Sequence, residues 1–278
     1  MTRIESPSSV NTYRACQRKY FYHYKLNLPT KESVAALTGK AVHAAIENFF
    51  AFNASCLNFT NYEQELRNHL LNSFNHAWIK EVPKLGRLEI DKEIIRGYYK
   101  DSLMMLEKFS LRFLQQLNQE MKTKELQEAF LTLAPETEVA ILSETYRLRG
   151  YIDAIHRLHG EARIVDYKTS RKDDITEEYR LQLAVYTLLF KERHGKLPDK
   201  AGVYFLRHGS QKFLEVNEEL LNFARQACEE VHMNTVSDNI RQYPKNLGPG
   251  CKWCDYKDIC FGQKTILEFQ NEANKNDK

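Results

Sequence analysis

No run of about eighteen apolar residues occurs in this 278-residue sequence, so no membrane-spanning helix is expected. The first residues, Met1-Thr-Arg-Ile-Glu-Ser-Pro7, contain no apolar signal core, and a cytoplasmic location is the expectation. Charge of one sign is also lacking. Forty Lys and Arg against 37 Asp and Glu leave +3, so any nucleic-acid surface must be local. No internal repeat is visible. What remains is the composition of a globular protein, long enough for one large domain or two small ones.

The most informative stretch runs from Gly150-Tyr-Ile-Asp153 to Ile164-Val-Asp166-Tyr167-Lys168-Thr169. It reads as two strands joined by a tight turn at His159-Gly160, with Leu158 opposite Glu161. Asp153 then falls opposite Asp166, and Lys168 shares the face of Asp166, because side chains alternate along a strand. Two adjacent carboxylates repel unless a cation lies between them. Oxygen ligands suit Mg²⁺ or Mn²⁺. The plainer alternative is a surface salt bridge. Apolar neighbours such as Ile152, Ile155 and Val165 make both strands look buried, which favours a site.

Elsewhere, Ser6-Pro7 starts a helix, followed by five aromatics interleaved with Arg14, Arg18, Lys19 and Lys25. That mixture suits stacking on single-stranded nucleic acid or an amphipathic helix in a core. His43 lies beside the apolar stripe Val42, Ile46, Phe49 and Phe50, as a core histidine or a ligand. Residues 55 to about 130 show helical periodicity, interrupted at Pro83 and Gly86, and no evident chemistry. Strands are expected after Pro135, with Glu138 in the first. A helix carries Gln182 and Tyr186 on one face, and two more strands and a helix follow.

Cys251-x₂-Cys254-x₅-Cys260 has the spacing of a metal site and needs a fourth ligand. Cys16, Cys56 and Cys228 are the candidates, and four thiolates suit zinc and iron–sulfur alike. The tail from about Asn271 is polar and expected to be disordered.

Taken together, Cys16, Gly39-x₃-His43, Gly150-x₂-Asp153, Asp166-Tyr-Lys168, Gln182-x₃-Tyr186 and the cysteine trio resemble the RecB-family branch of the PD-(D/E)XK nucleases. Within it the chain looks most like the iron–sulfur members, such as CRISPR-associated RecB-like exonucleases and the AddB nuclease domain. The resemblance covers residues 6–52 and 136–262. It implies a mixed α/β (α+β) restriction-endonuclease-like core, a central mixed sheet flanked by helices. A helical insertion and an iron–sulfur clamp joining the N- and C-terminal parts would complete it.

The domain division so implied is 1–54, N-terminal helices with Cys16 and His43; 55–134, the insertion; 135–240, the nuclease core. Residues 241–265 would be the cysteine cluster and 266–278 a polar tail. By the same resemblance His43, Asp153, Asp166 and the Tyr167 carbonyl would hold Mg²⁺ or Mn²⁺. Lys168 would activate water and stabilise charge on phosphorus. Gln182 and Tyr186 would support the site and contact DNA. Cys16, Cys251, Cys254 and Cys260 would hold a [4Fe–4S] cluster. Glu138 matches an acidic residue preceding the Gly-x₂-Asp strand in relatives. The chain departs from the pattern at Ile152, where the eponymous proline is absent.

The expected activity is metal-dependent exonucleolytic hydrolysis of DNA, single-stranded or with a free end, in repair, recombination or CRISPR adaptation, with protein partners there. A non-catalytic DNA-end-binding scaffold is the rival, and a zinc-containing nucleic-acid-binding protein the more distant one.

Overall fold

The computed structural model describes residues 3–276, with side chains as far as residue 272. Helix α1 (Pro7–Ala15) begins with a reciprocal cap: Ser6 and Ser9 each accept from the other's backbone N–H, with Pro7 in the first turn. Cys16, expected inside a helix, instead interrupts it. Its backbone is extended (φ −164°, ψ 113°) and separates α1 from α2 (Gln17–Tyr20) and the π-helical turn Phe21–Lys25. The aromatics of this segment face inward. Tyr13, Tyr20, Phe21 and Tyr22 are buried, and Tyr20 donates to Glu5 at 2.6 Å. The amphipathic-core reading therefore holds, and these rings offer no stacking surface.

Helices α3 (Val34–Phe50), α4 (Tyr62–Arg87), α5 (Lys92–Glu120) and α6 (Leu126–Leu133) form a layer on one side of the sheet. Their aromatic core (Phe49, Phe74, Phe109, Phe113, Phe130) continues into Val165 and Tyr167 of the sheet. Helix α4 runs through Pro83 and Gly86, where an interruption was expected. The chain breaks later, between Arg87 and Lys92. Glu89 takes a left-handed conformation there (φ 50°), and Asp91 caps α5 by accepting from Glu93.

Five strands form one mixed sheet in chain order: β1 (Glu136–Ser143), β2 (Leu148–Leu158), β3 (Glu161–Lys168), β4 (Lys200–Phe205) and β5 (Ser210–Leu214). All neighbours are antiparallel except β3 and β4, which are parallel. Parallel neighbours need a crossover. It is supplied by α7 (Glu177–His194), capped by Thr176 at its start and ended by Gly195 at φ 70°. With α1, α2 and α8 (Glu218–Asn234), α7 covers the second sheet face, over Ile152, Ile164, Val203 and Phe205. The C-terminal part adds α9 (Lys257–Cys260) and α10 (Ile266–Asn276). The tail expected to be disordered is thus helical as far as Asn276; residues 277–278 lie outside the described residues. No described helix is long and apolar enough to cross a membrane.

Candidate active site

The hairpin forms in the register the sequence predicts, with Leu158 opposite Glu161. Its ladder ends at Ala154 and Val165, and continuing that register places Asp153 opposite Asp166. At this point a side chain replaces the backbone bonds: Asp153 Oδ2 accepts from the Tyr167 N–H at 2.8 Å.

The alternation of faces also breaks here. Ile152 belongs to the core under α7 and Ala154 to the core under the α3–α6 layer, although strict alternation would give them one face. The β1–β2 register is continuous across the break, from Val139–Ile152 to Thr137–Ala154, so no residue is inserted. Opposite Asp153 stands Glu138, at φ 48°. A non-glycine residue there costs about 1–2 kcal/mol, and such outliers concentrate at functional sites. The consequence is positional: Asp153 lies where the two faces meet and is reached from both.

From the helical layer comes His43 on α3, its Nδ1 3.4 Å from Asp153 Oδ2. Burial lowers the imidazole pKa more than the Asp166 charge and a Tyr167 backbone hydrogen bond raise it. His43 is therefore neutral near neutral pH, the form that ligates metal. From the α7 side come Asp166 and Lys168. Asp166 is 2% exposed; its Oδ2 lies 2.7 Å from Lys168 Nζ, and its Oδ1 has no partner among the described residues. Burial alone would lower the Lys168 pKa, but the Asp166 and Asp153 carboxylates outweigh it and hold the ammonium charged. Lys168 donates to Gln182 Oε1 at 3.0 Å, and Gln182 donates to the Tyr186 hydroxyl at 2.9 Å. Gly150 permits this approach of α7: a Cβ there would lie 2.8 Å from Leu189 Cδ1 and 3.1 Å from the Tyr186 ring.

Burial, and then the Asp166 charge, pushes the Asp153 carboxyl well above its ordinary value. Glu138 is also raised, by burial and by Glu47. One ligand atom each from His43, Glu138 and Asp153 lie within 4.8 Å of one another. They line an open groove of about 860 Å³ that also contains Glu47, Lys40 and Arg149. Glu47 is the residue the sequence reading missed. Its spacing four after His43 puts both on one helix face, and that spacing could have found it. The Lys168–Asp166 ion pair of the plainer reading exists, but it leaves Asp166 Oδ1 buried without a partner. A divalent cation held by His43, Glu138 and Asp153 fits the donor set and relieves the repulsion among these carboxylates; Asp166 lies deeper, beside Lys168.

This electrostatic arrangement has a pH signature. Asp153 binds its proton more tightly folded than unfolded, so without metal its contribution to stability is fully present below the unfolded pKa. That contribution is lost as pH rises through the raised folded value. Metal binding requires the ionised carboxylate and the neutral imidazole, so metal affinity should rise over the same span. Thermal melting of wild type and Asp153→Asn between pH 4 and 8, with and without Mn²⁺, checks both. The metal-free advantage of wild type should shrink with pH while its stabilisation by Mn²⁺ grows.

The cysteines sort cleanly. Cys16, Cys251, Cys254 and Cys260 line one small cavity, which the extended backbone at Cys16 makes possible. Cys56 is exposed in a 3₁₀ turn, and Cys228 is buried in α8, its thiol pushed up to about 12 by burial. Burial also raises the Cys254 and Cys260 thiols, and Lys19, Arg18 and Lys245 partly offset this. No three of the four thiols lie within 4.8 Å of one another among the described residues. Tetrahedral zinc, with Zn–S of about 2.3 Å, would need sulfurs about 3.8 Å apart.

A family model described as the PD-(D/E)XK nuclease superfamily matches residues 5–261. The "Gene 69 protein" of Mycobacterium phage D29 is 32% identical over 120 residues, 41% of this chain and 42% of that protein. The match thus spans well under half of that relative's length. A solved structure titled "Crystal structure of SSO0001" aligns with 90% of this chain and 96% of its own, at 16% identity and a TM-score of 0.31. That likeness is too loose to bear on the fold or the site.

Proposed function

Because the chain belongs to the PD-(D/E)XK nuclease superfamily, we propose that it is a metal-dependent exonuclease acting on DNA with a free end, preferentially single-stranded. One observation carries the reading: Asp153, Asp166 and Lys168 converge where the β2–β3 ladder ends, with Asp166 buried against the Lys168 ammonium and its Oδ1 without a partner. His43, Asp153 and Asp166 would hold Mg²⁺ or Mn²⁺ together with the Tyr167 carbonyl, and Glu138 stands within reach of the first two. When bound, the cation neutralises the phosphodiester, lowers the pKa of a ligated water and stabilises the leaving oxygen.

The chain's own residues do the rest. Lys168 places a permanent positive charge where negative charge grows on phosphorus, held by Gln182 rather than free to move. Tyr186 fixes Gln182 in turn, so this pair orients the ammonium. Arg149 and Lys40 give the groove wall positive charge that suits a phosphate backbone.

We propose also that Cys16, Cys251, Cys254 and Cys260 hold a [4Fe–4S] cluster. The far-upstream Cys16 gathered with the C-terminal trio in one pocket supports this reading, and the neighbouring cations suit thiolates. Its place is structural: it would join the α1–α2 corner to the C-terminal loop. Repair, recombination or CRISPR adaptation is the proposed setting, with protein partners there. The rival scaffold reading has no use for an orphaned buried Asp166 beside a charged Lys168.

The test is an assay on end-labelled single- and double-stranded DNA with Mg²⁺ or Mn²⁺. Progressive loss of nucleotides from single-stranded ends, faster than from blunt duplex, is expected. Cleavage of closed circles at the same rate as of linear strands would rule out the exonuclease reading.

A further inference from the structure

The aromatics that a single strand could stack on are not in the N-terminal segment, where four of the five rings are buried and the half-buried Tyr24 is covered by Arg3. They lie on the cysteine-bearing loop. Trp253 is 79% exposed, with Lys252 Nζ 5.1 Å from its ring centroid. Phe261 is 48% exposed, with Lys245 Nζ 5.6 Å from its ring. Between Arg241 and Lys264 the chain carries five cations against two carboxylates. Asp258 is drawn to Lys264, whereas Lys19, Lys252 and Lys257 form no ion pair among the described residues. An exposed tryptophan gains nothing from packing, and an apolar protein interface is depleted of lysine. Rings flanked by lysines that have no carboxylate partner among the described residues match the needs of unpaired bases on a phosphate backbone.

The position suits the groove. Ser8, near the start of α1, lines the groove containing His43 and Asp153; Cys16, just past the end of α1, lines the thiol cavity shared with Phe261. At 1.5 Å per residue the helix separates them by on the order of 12 Å. A single strand bridges that distance with a few nucleotides.

We infer that Trp253 and Phe261, with Lys245 and Lys252, form a stacking platform for single-stranded DNA, which anchors the strand a few nucleotides from the bond to be cut. This rests on the nuclease reading above and assigns the source of its single-strand preference. The platform binds bases by their faces and is therefore indifferent to sequence.

The chain has two tryptophans, and the other, Trp78, is buried in the helical layer. In a Trp78→Phe background Trp253 reports alone. Oligothymidylates of three, six and ten nucleotides, added without divalent metal, are the probe. Quenching of Trp253 fluorescence is expected, with affinity rising sharply between three and six nucleotides. In the otherwise wild-type chain, Trp253→Ala should weaken binding of the ten-mer about ten- to a hundredfold. It should raise KM while leaving kcat nearly unchanged, and Trp253→Phe should restore most of the loss.

Binding of the ten-mer without quenching, or unaltered affinity in Trp253→Ala, overturns the platform. So does a dimer in sedimentation that Trp253→Ala dissolves, which would make the ring a protein interface. Metal-dependent cleavage of the same oligonucleotides is read separately. Cleavage without quenching overturns the platform alone, whereas quenching without cleavage overturns the nuclease reading and leaves the platform standing.

Discussion

Asp166→Ala and Lys168→Ala should each reduce metal-dependent cleavage by about a hundredfold or more while DNA binding survives. A preorganised group aimed at developing charge contributes on that scale, about 10²–10³ in kcat. The two substitutions should differ in their metal dependence. Asp166→Ala removes a buried carboxylate proposed as a ligand, so it should abolish the thermal stabilisation that Mn²⁺ gives wild type. Lys168→Ala removes no ligand and should keep that stabilisation. Lys168→Arg should rescue little, because a planar fork cannot take the place of an ammonium held between Asp166 and Gln182. Rates and melting curves of the three variants check this; wild-type cleavage by Lys168→Ala would remove Lys168 from the proposed chemistry.

The second large effect concerns the far end of the molecule. Cys16→Ala should strip the proposed cluster and destabilise the fold as severely as Cys254→Ala. The two cysteines are separated by over two hundred residues, and cross-linking so long a loop stabilises by about 5 kcal/mol. For a chain of this size that corresponds to a fall in Tm on the order of 10 °C. Metal-ligand binding is folding energy when the site exists only in the folded chain. Cys56→Ala, at an exposed turn, should change neither iron content nor Tm. Cys228→Ala should keep the iron and cost about 1 kcal/mol for a small cavity in the α8 core. Iron content and melting of all six variants, prepared without oxygen, test this. Full iron in Cys16→Ala would identify another fourth ligand.

The hairpin was legible because its turn, His159-Gly160, fixes the register, and register determines which residues meet. Lys168, Gln182 and Tyr186 were legible for a similar reason: strand and helix periods are local properties. The face reversal at Asp153 was not: it lies opposite a left-handed Glu138 on the neighbouring strand, and nothing in a period-two pattern announces either. The helical layer was legible as helices but not as packing. Its period gave the apolar stripes, yet which sheet face they cover is a tertiary fact. Pro83 was read as a break on propensity. The surrounding contacts of Trp78 and Leu85 with the same core outweigh one lost backbone bond. The aromatic N-terminal segment had two readings, and burial decided between them, moving the exposed aromatic–cation surface to Trp253 and Phe261.

The most direct test of the central claim is a crystal structure with Mn²⁺ bound, located by its anomalous scattering. The account predicts an ion in contact with Asp153 and Asp166 and ligated by His43, with Lys168 close by but outside its ligand shell. An ion bound elsewhere, or no ion at this site under saturating Mn²⁺, would contradict it.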